Sequence, residues 1–168
     1  MRTMLAFLML STVAVPAAAQ SFVPPPPKVV GLSGPRFGIT SLSPGVIEKL
    51  AERDIAVRPM ISQFGWQFER QFTSRGSGLT AISEWVVLFG GLEQNVALPS
   101  LTWLVGLRSS QGAEFGIGPN ITPAGTALAL AAGVTFRVGA MNVPMNFAVV
   151  PSQSGVRVSI LSGFTFRR

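Results

Sequence analysis

Three glutamates and four arginines carry most of the ionisable chemistry that this sequence can gather in one place. Glu69, Glu84 and Glu114, with Arg36, Arg108, Arg137 and Arg157, all fall in stretches where polar and apolar residues alternate. Alternation with a period of two puts such residues on one face of an extended strand. Two carboxylates close together, such as Glu69 and Glu84 on consecutive strands, could act as general acid and base. Arginine on the same face changes that chemistry, because its planar fork grips a carboxylate through two hydrogen bonds and fixes its charge. Histidine and cysteine are both absent. The commonest general base, a cysteine nucleophile and the usual transition-metal ligands are therefore missing. The expectation is a salt-bridged polar interior with no catalytic residues, no cofactor and no metal. A polar conduit or ligand cavity is the functional alternative.

The elements that position these residues are eight strand-like segments. The clearest is Met60 to Phe72, where Phe64, Trp66, Phe68 and Phe72 alternate with Gln63, Gln67, Glu69 and Gln71. Before it, Phe37 and Ile39 oppose Arg36, Gly38 and Thr40. After it comes Leu79 to Phe89, with Trp85 and Phe89 opposite Thr80 and Glu84, although Ile82, Val86 and Leu88 interrupt the polar side. In the fourth segment Leu101, Trp103, Val105 and Leu107 oppose Ser100, Thr102, Gly106 and Arg108, and in the fifth Phe115, Ile117 and Ile121 oppose Glu114, Gly116, Gly118 and Asn120. The last three are Ala127 to Val138, Met141 to Val150, which carries Phe147 opposite Asn142 and Asn146, and Val156 to Phe166, which carries Phe164 and Phe166 opposite Arg157. Gly90-Gly91 and Gly116-Ile117-Gly118 lack a phosphate-loop context and suit turns or bends in a barrel.

One helix of about ten residues is expected between the first two strands. Ser43 can cap it, Pro44 suits its first position, and Val46, Ile47 and Leu50 share a face. Resting on the rim is the simple role for it; plugging the barrel, or meeting lipid phosphates through Lys49 and Arg53, is the alternative.

The start of the chain looks like an export signal: Arg2, an apolar run from Met4 to Val15, and Ala17-Ala18-Ala19 as a cleavage site. Residues 20–34, with four consecutive prolines from Pro24, are expected to form a stiff linker. Residues 35–168 are left as one domain. Charged residues make up 12% of the chain and hydrophobic ones 48%, with a mean hydropathy of +0.46. That charge is about half the usual share for a soluble domain. No later stretch is long and apolar enough for a helix to span a bilayer, so the apolar content is spread through the strands. The net charge of +6 is scattered rather than clustered, which argues against nucleic acid as a partner.

The second face of the sixth and seventh strands suggests which side points outward. Ala127, Ala129, Ala131 and Gly133, with Asn142, Pro144 and Asn146, make a poor water-facing surface but fit a crowded barrel interior. The expected fold is all-β, an eight-stranded antiparallel up-and-down transmembrane barrel with one short helix between strands 1 and 2. Lipid would then meet Phe64, Trp66, Phe68, Phe72, Trp85, Phe89, Trp103, Phe147, Phe164 and Phe166. With tyrosine absent, the tryptophans and phenylalanines alone would form the interfacial girdle. Short turns are expected at 73–78, 109–112 and 139–140, and longer connections at the helix, 90–99, 120–125 and 151–155.

With its C-terminal strand V-R-V-S-I-L-S-G-F-T-F, the chain resembles the small outer-membrane β-barrels of Gram-negative bacteria, the OmpA/OmpX-like architecture. The resemblance spans roughly Pro35 to Arg168 and is one of pattern. It implies an outer-membrane location, outer-membrane lipid around the barrel and the barrel-assembly machinery as a partner in biogenesis. Arg167 and Arg168 depart from it, because they follow the aromatic residue on which such strands usually end. A structural or surface-interaction role follows, with loop Gly90–Pro99 and its Glu93 and Gln94 as candidate contacts. A small transport or ligand-binding barrel, either a pore or a soluble lipocalin-like barrel, is the other reading.

Overall fold

The computed structural model describes residues 31–72 and 78–166. The expected signal peptide, most of the proline-rich linker, residues 73–77 and the final Arg167-Arg168 lie outside the described residues. The strands are β1 (Gly34–Leu42), β2 (Met60–Phe72), β3 (Leu79–Gly90), β4 (Leu98–Ser109), β5 (Ala113–Thr122), β6 (Gly125–Val138), β7 (Met141–Ser152), β8 (Gly155–Gly163) and β9 (Thr165–Phe166). Helix α1 (Pro44–Ala51) lies between β1 and β2.

Each of the first seven strands pairs antiparallel with the next, and β8 returns to pair with β1. β9 carries the line of β8 past Phe164 and pairs with β7. The sheet is thus a closed, eight-stranded up-and-down barrel with one short helix, the architecture expected from the alternation. Followed once round, with the β7–β8 and β4–β5 registers each extended by one residue pair, the line runs Thr135, Pro144, Gly163, Arg36, Gly65, Leu88, Ser100, Thr122 and Gly125. It returns to β6 ten residues from its start (135 to 125). That stagger tilts the strands by about 40° to the barrel axis.

Proline marks the main difference from the expected element boundaries. Pro99 and Pro151, expected in connections, lie inside strands opposite Phe89 and Val156, as Pro119 and Pro144 do within the expected fifth and seventh strands. The strands therefore run further than a reading that stops at proline allows. Two connections expected to be long are two-residue turns, because Thr122 pairs with Gly125 and Ser152 with Gly155. Of the longer connections only the helical one and that between β3 and β4 remain. The ladder between β4 and β5 skips Trp103 and Leu104, opposite Pro119 and Gly118, where proline has no N–H to give.

Inward-facing glycines allow the closed sheet to bend. A Cβ on Gly118 would lie 1.8 Å from the Trp103 carbonyl oxygen, and one on Gly65 1.9 Å from that of Val87. Backbone cannot yield to such a contact as a flexible side chain can.

The interior divides into two halves along the barrel axis. At the end where the chain enters β1, the inner face carries the charged residues. At the α1 end it is largely apolar. There Leu42, Ile61 and Leu98 pack against Val46 and Leu50 of α1, with Val96 and Ala124 beside them. These residues come from strands and a turn around the rim, so α1 covers the barrel mouth. Ser43 is the N-cap residue, but its hydroxyl makes no capping bond; it accepts the Val156 amide at 2.9 Å. The expected cap is thereby replaced by a tie to β8.

Gly118→Ala is expected to destabilise the barrel by about 1–3 kcal/mol or to prevent its closure. Gly31→Ala, where nothing lies within 4 Å of the added Cβ, is the matched control. Urea unfolding in detergent, followed by tryptophan fluorescence, measures both.

Candidate functional site

Arg108, near the end of β4, is the centre of the charged half. Alternation turns it inward, and its backbone faces Thr80 on β3 and Glu114 on β5. Its Nη1 and Nη2 donate to the two oxygens of Glu69 at 2.7 and 2.6 Å, a bidentate grip. Its Nε donates to Glu114 Oε2 at 2.7 Å, and Nη2 lies 2.6 Å from the same oxygen. Glu84 Oε1 stands 3.4 Å from Nη2. One guanidinium thus holds carboxylates from three strands, β2, β3 and β5, and the side chains involved are buried.

Amides extend this network across the barrel. Gln67 Nε2 donates to Glu84 at 2.6 Å, while its oxygen accepts Arg36 Nε at 2.9 Å. Arg36 also donates to the carbonyls of Leu32 at 2.6 Å and Pro35 at 3.0 Å. Fully buried, Leu32 thereby anchors the entering chain at this end. Asn146 Nδ2 donates to Glu114, and Gln71 Nε2 to Glu69. Gly133 makes room for this, since a Cβ there would lie 2.5 Å from Asn146 Nδ2 and 2.9 Å from Glu114 Oε1.

Of the seven charged residues singled out from the sequence, Arg36, Glu69, Glu84, Arg108 and Glu114 meet in this network. Arg137, at the exposed end of β6, does not reach it. Arg157 is buried but lies in the α1 half, where its Nη1 donates to the Thr122 hydroxyl. The bridging part of Gln67 and the Leu32 carbonyl have no signature in alternation. The apolar half did have one, in Val86 and Leu88 on the side of β3 that carries Glu84; Ile82, on the same side, is buried at the charged end.

All ten aromatic residues assigned to the outer face are exposed, from Phe164 at 39% to Phe166 at 66%. The girdle position expected of the tryptophans differs. Trp66, Trp85 and Trp103 stand near the middle of β2, β3 and β4. Trp85 and Trp103 stack with ring centres 5.7 Å apart, and the Trp103 indole N–H donates to Ser83 at 2.9 Å. With its polar atom satisfied internally, that indole does not need an aqueous edge.

The connection between β3 and β4 is pinned rather than free. Glu93 accepts the Ser62 amide at 3.0 Å and the Ser62 hydroxyl. Gln94 donates to the Met60 carbonyl at 2.8 Å and accepts the Arg58 amide at 2.7 Å. The Ser62 hydroxyl and amide hold the Glu93 carboxyl down at about 2. Glu93 and Gln94, expected as partner contacts, thus tie their loop to the start of β2.

Comparison with protein-family models, with curated proteins and with solved structures finds no match. The closed eight-stranded antiparallel barrel is compatible with the OmpA/OmpX-like architecture.

Arg108→Met is expected to cost about 3–5 kcal/mol, because it leaves three buried carboxylates facing one another. Arg108→Lys recovers only part of this, as an ammonium cannot span Glu69 and Glu114 with a rigid fork. Adding Glu69→Gln to Arg108→Met is expected to restore some stability; strict additivity in the double-mutant cycle would mean that the pair does not interact.

The Glu93 clamp is expected to depend on pH in a definite direction. Its folded-state value is depressed from 4.5, so its contribution is complete above about 4.5 and disappears as pH falls through about 2. The protection factor of the Ser62 amide is expected to drop over that window. In Glu93→Ala it is expected to be low and insensitive to pH throughout.

Proposed function

We propose that this chain is a bacterial outer-membrane β-barrel protein with a structural or surface-interaction role and no catalytic activity. One observation carries the proposal: the barrel has charged residues inside and aromatic residues outside. The ten outward aromatics are roughly half exposed. Leaving that much of each in water forgoes about 1–1.5 kcal/mol per side chain, or about 10–15 kcal/mol together. That equals the whole stability of a typical domain. Lipid around the barrel removes this cost. A soluble lipocalin-like barrel would instead need the same aromatics inside.

The dimensions agree with a membrane span. Strands of about 12 residues at ~3.3 Å each, tilted by ~40°, rise about 30 Å. That is sufficient for an apolar band of about 25 Å. The C-terminal β8–β9 run, alternating and aromatic-ended, is the segment expected to engage the barrel-assembly machinery.

Two features favour a filled barrel over a pore. The Arg108 network crosses the interior at one end, and α1 covers the mouth at the other. The three glutamates are committed to Arg108, which is poor chemistry for an acid–base pair that must exchange protons with a substrate.

Cell fractionation, combined with gel mobility before and after heating, tests the placement. A heat-modifiable band in the outer-membrane fraction is expected; a freely soluble periplasmic protein would overturn the proposal. In planar bilayers the purified protein is expected to give no steady conductance.

A further inference from the structure

Arg157 is the charged interior residue that the Arg108 network leaves unexplained. All seven carboxylate side chains of the sequence lie among the described residues, and none pairs with it. Glu69, Glu84 and Glu114 meet Arg108, Glu93 holds Ser62, and Glu52 holds Lys49 at 2.6 Å. Glu48 and Asp54 are exposed on and just after α1. Arg157 is only 7% exposed, and beyond the bond to Thr122 its buried Nε has no partner among the described residues. A buried guanidinium without a counter-charge is costly unless an anion can reach it.

That guanidinium lines a cavity. The space, about 90 Å³, lies inside the barrel beneath α1. Val86, Leu88, Leu104 and Leu161 supply much of its wall, and Val46 and Leu50 of α1 line it as well. Such a volume holds about six to nine water-sized groups, enough for one short aliphatic chain and too little for two. Polarity sets the direction of the chain. Glu84 and Gln67 line the cavity from the charged half, so an anionic head is repelled there and attracted to Arg157 in the α1 half.

We propose that the α1-capped half of the barrel binds a single-chain aliphatic carboxylate, its head on Arg157 and its tail among Val86, Leu88, Leu104 and Leu161. The shared chemistry is an anionic head on an apolar tail; the single chain distinguishes a free carboxylate from a two-chain lipid. This site goes beyond the structural role proposed above and does not rest on membrane placement, since a soluble barrel would carry the same cavity.

Calorimetric titration of the exported, purified protein in a nonionic maltoside with sodium hexanoate tests the site. Saturable one-to-one binding is expected. Arg157→Gln, which removes the charge, and Ala129→Leu, which fills the cavity and leaves Arg157 in place, are each expected to weaken it at least tenfold. On the unmodified protein, hexanol and acetate are each expected to bind at least tenfold more weakly than hexanoate. The proposal is overturned by any of four results: no hexanoate binding, equal binding by Arg157→Gln, hexanol as tight as hexanoate, or acetate or inorganic phosphate as tight as hexanoate. Tighter binding by dihexanoylphosphatidate would also overturn it, in favour of a lipid headgroup. Heat-modifiable gel mobility checks that each variant folds. Should Arg157→Gln fail to fold, Ala129→Leu and the hexanoate-to-hexanol ratio decide the question.

Discussion

The grip of Arg108 on three carboxylates is the interaction on which the rest of the barrel depends. A closed eight-stranded sheet turns every second residue into a narrow interior, where an unpaired charge costs several kcal/mol. Glu69 and Glu84 are direct register partners on β2 and β3, so the fold itself sets two like charges side by side. Without a cation between them, that register would be penalised. Arg108 reaches both from β4 and adds Glu114 from β5, so one side chain ties the order and register of four consecutive strands. A slip of one residue in any of them would turn its member of the set outward. The network thus acts as a register lock as well as a source of energy.

Such a lock places demands on the rest of the inner face. Space for Asn146 and Glu114 exists because Gly133 has no side chain, and the sheet closes tightly because Gly65 and Gly118 allow adjacent backbones to approach. Arg36 carries the network, through Gln67, to the backbone of the entering chain at Leu32. Charge at one end and apolar packing under α1 at the other leave the barrel with a polarity gradient along its axis. Aromatic residues occupy the outer face, where alternation turns them away from this charged and apolar interior.

Much of this was legible in the sequence because a period of two is a strong signal. It fixed the inward face of β2 from Gln63, Gln67 and Glu69 against Phe64, Trp66 and Phe68, and it brought Glu69 and Glu84 onto adjacent strands. It could not show that Arg108, rather than Arg137, takes the central position. That depends on where each residue falls along a tilted strand, and Arg137 lies past the point where β6 still faces a closed interior. Strand ends were obscured by Pro99 and Pro151, whose missing N–H groups are tolerated here inside paired strands. The capping role expected of Ser43 failed for a tertiary reason, since Val156 competes for the same hydroxyl. Trp103 likewise escapes the girdle because Ser83 satisfies its indole from a neighbouring strand.

The two halves of the interior place opposite demands on charge. Three carboxylates surround Arg108 and Arg36 lies close by, so the charged half holds one more negative group than positive when all are ionised. The α1 half holds a lone positive charge at Arg157. If the arginines served only to neutralise the glutamates, a third arginine on the same lock would balance it. Instead Arg157 stands among Val150, Leu42 and Thr122, where β1 and β7 are its register neighbours and no carboxylate is within reach. Packing alone would be better served there by an aliphatic residue, since replacing buried charge by apolar volume is often neutral or stabilising. The separation of Arg157 from the lock, together with an apolar cavity on one side of it, therefore points to recognition rather than to architecture as the reason for a charge at that position.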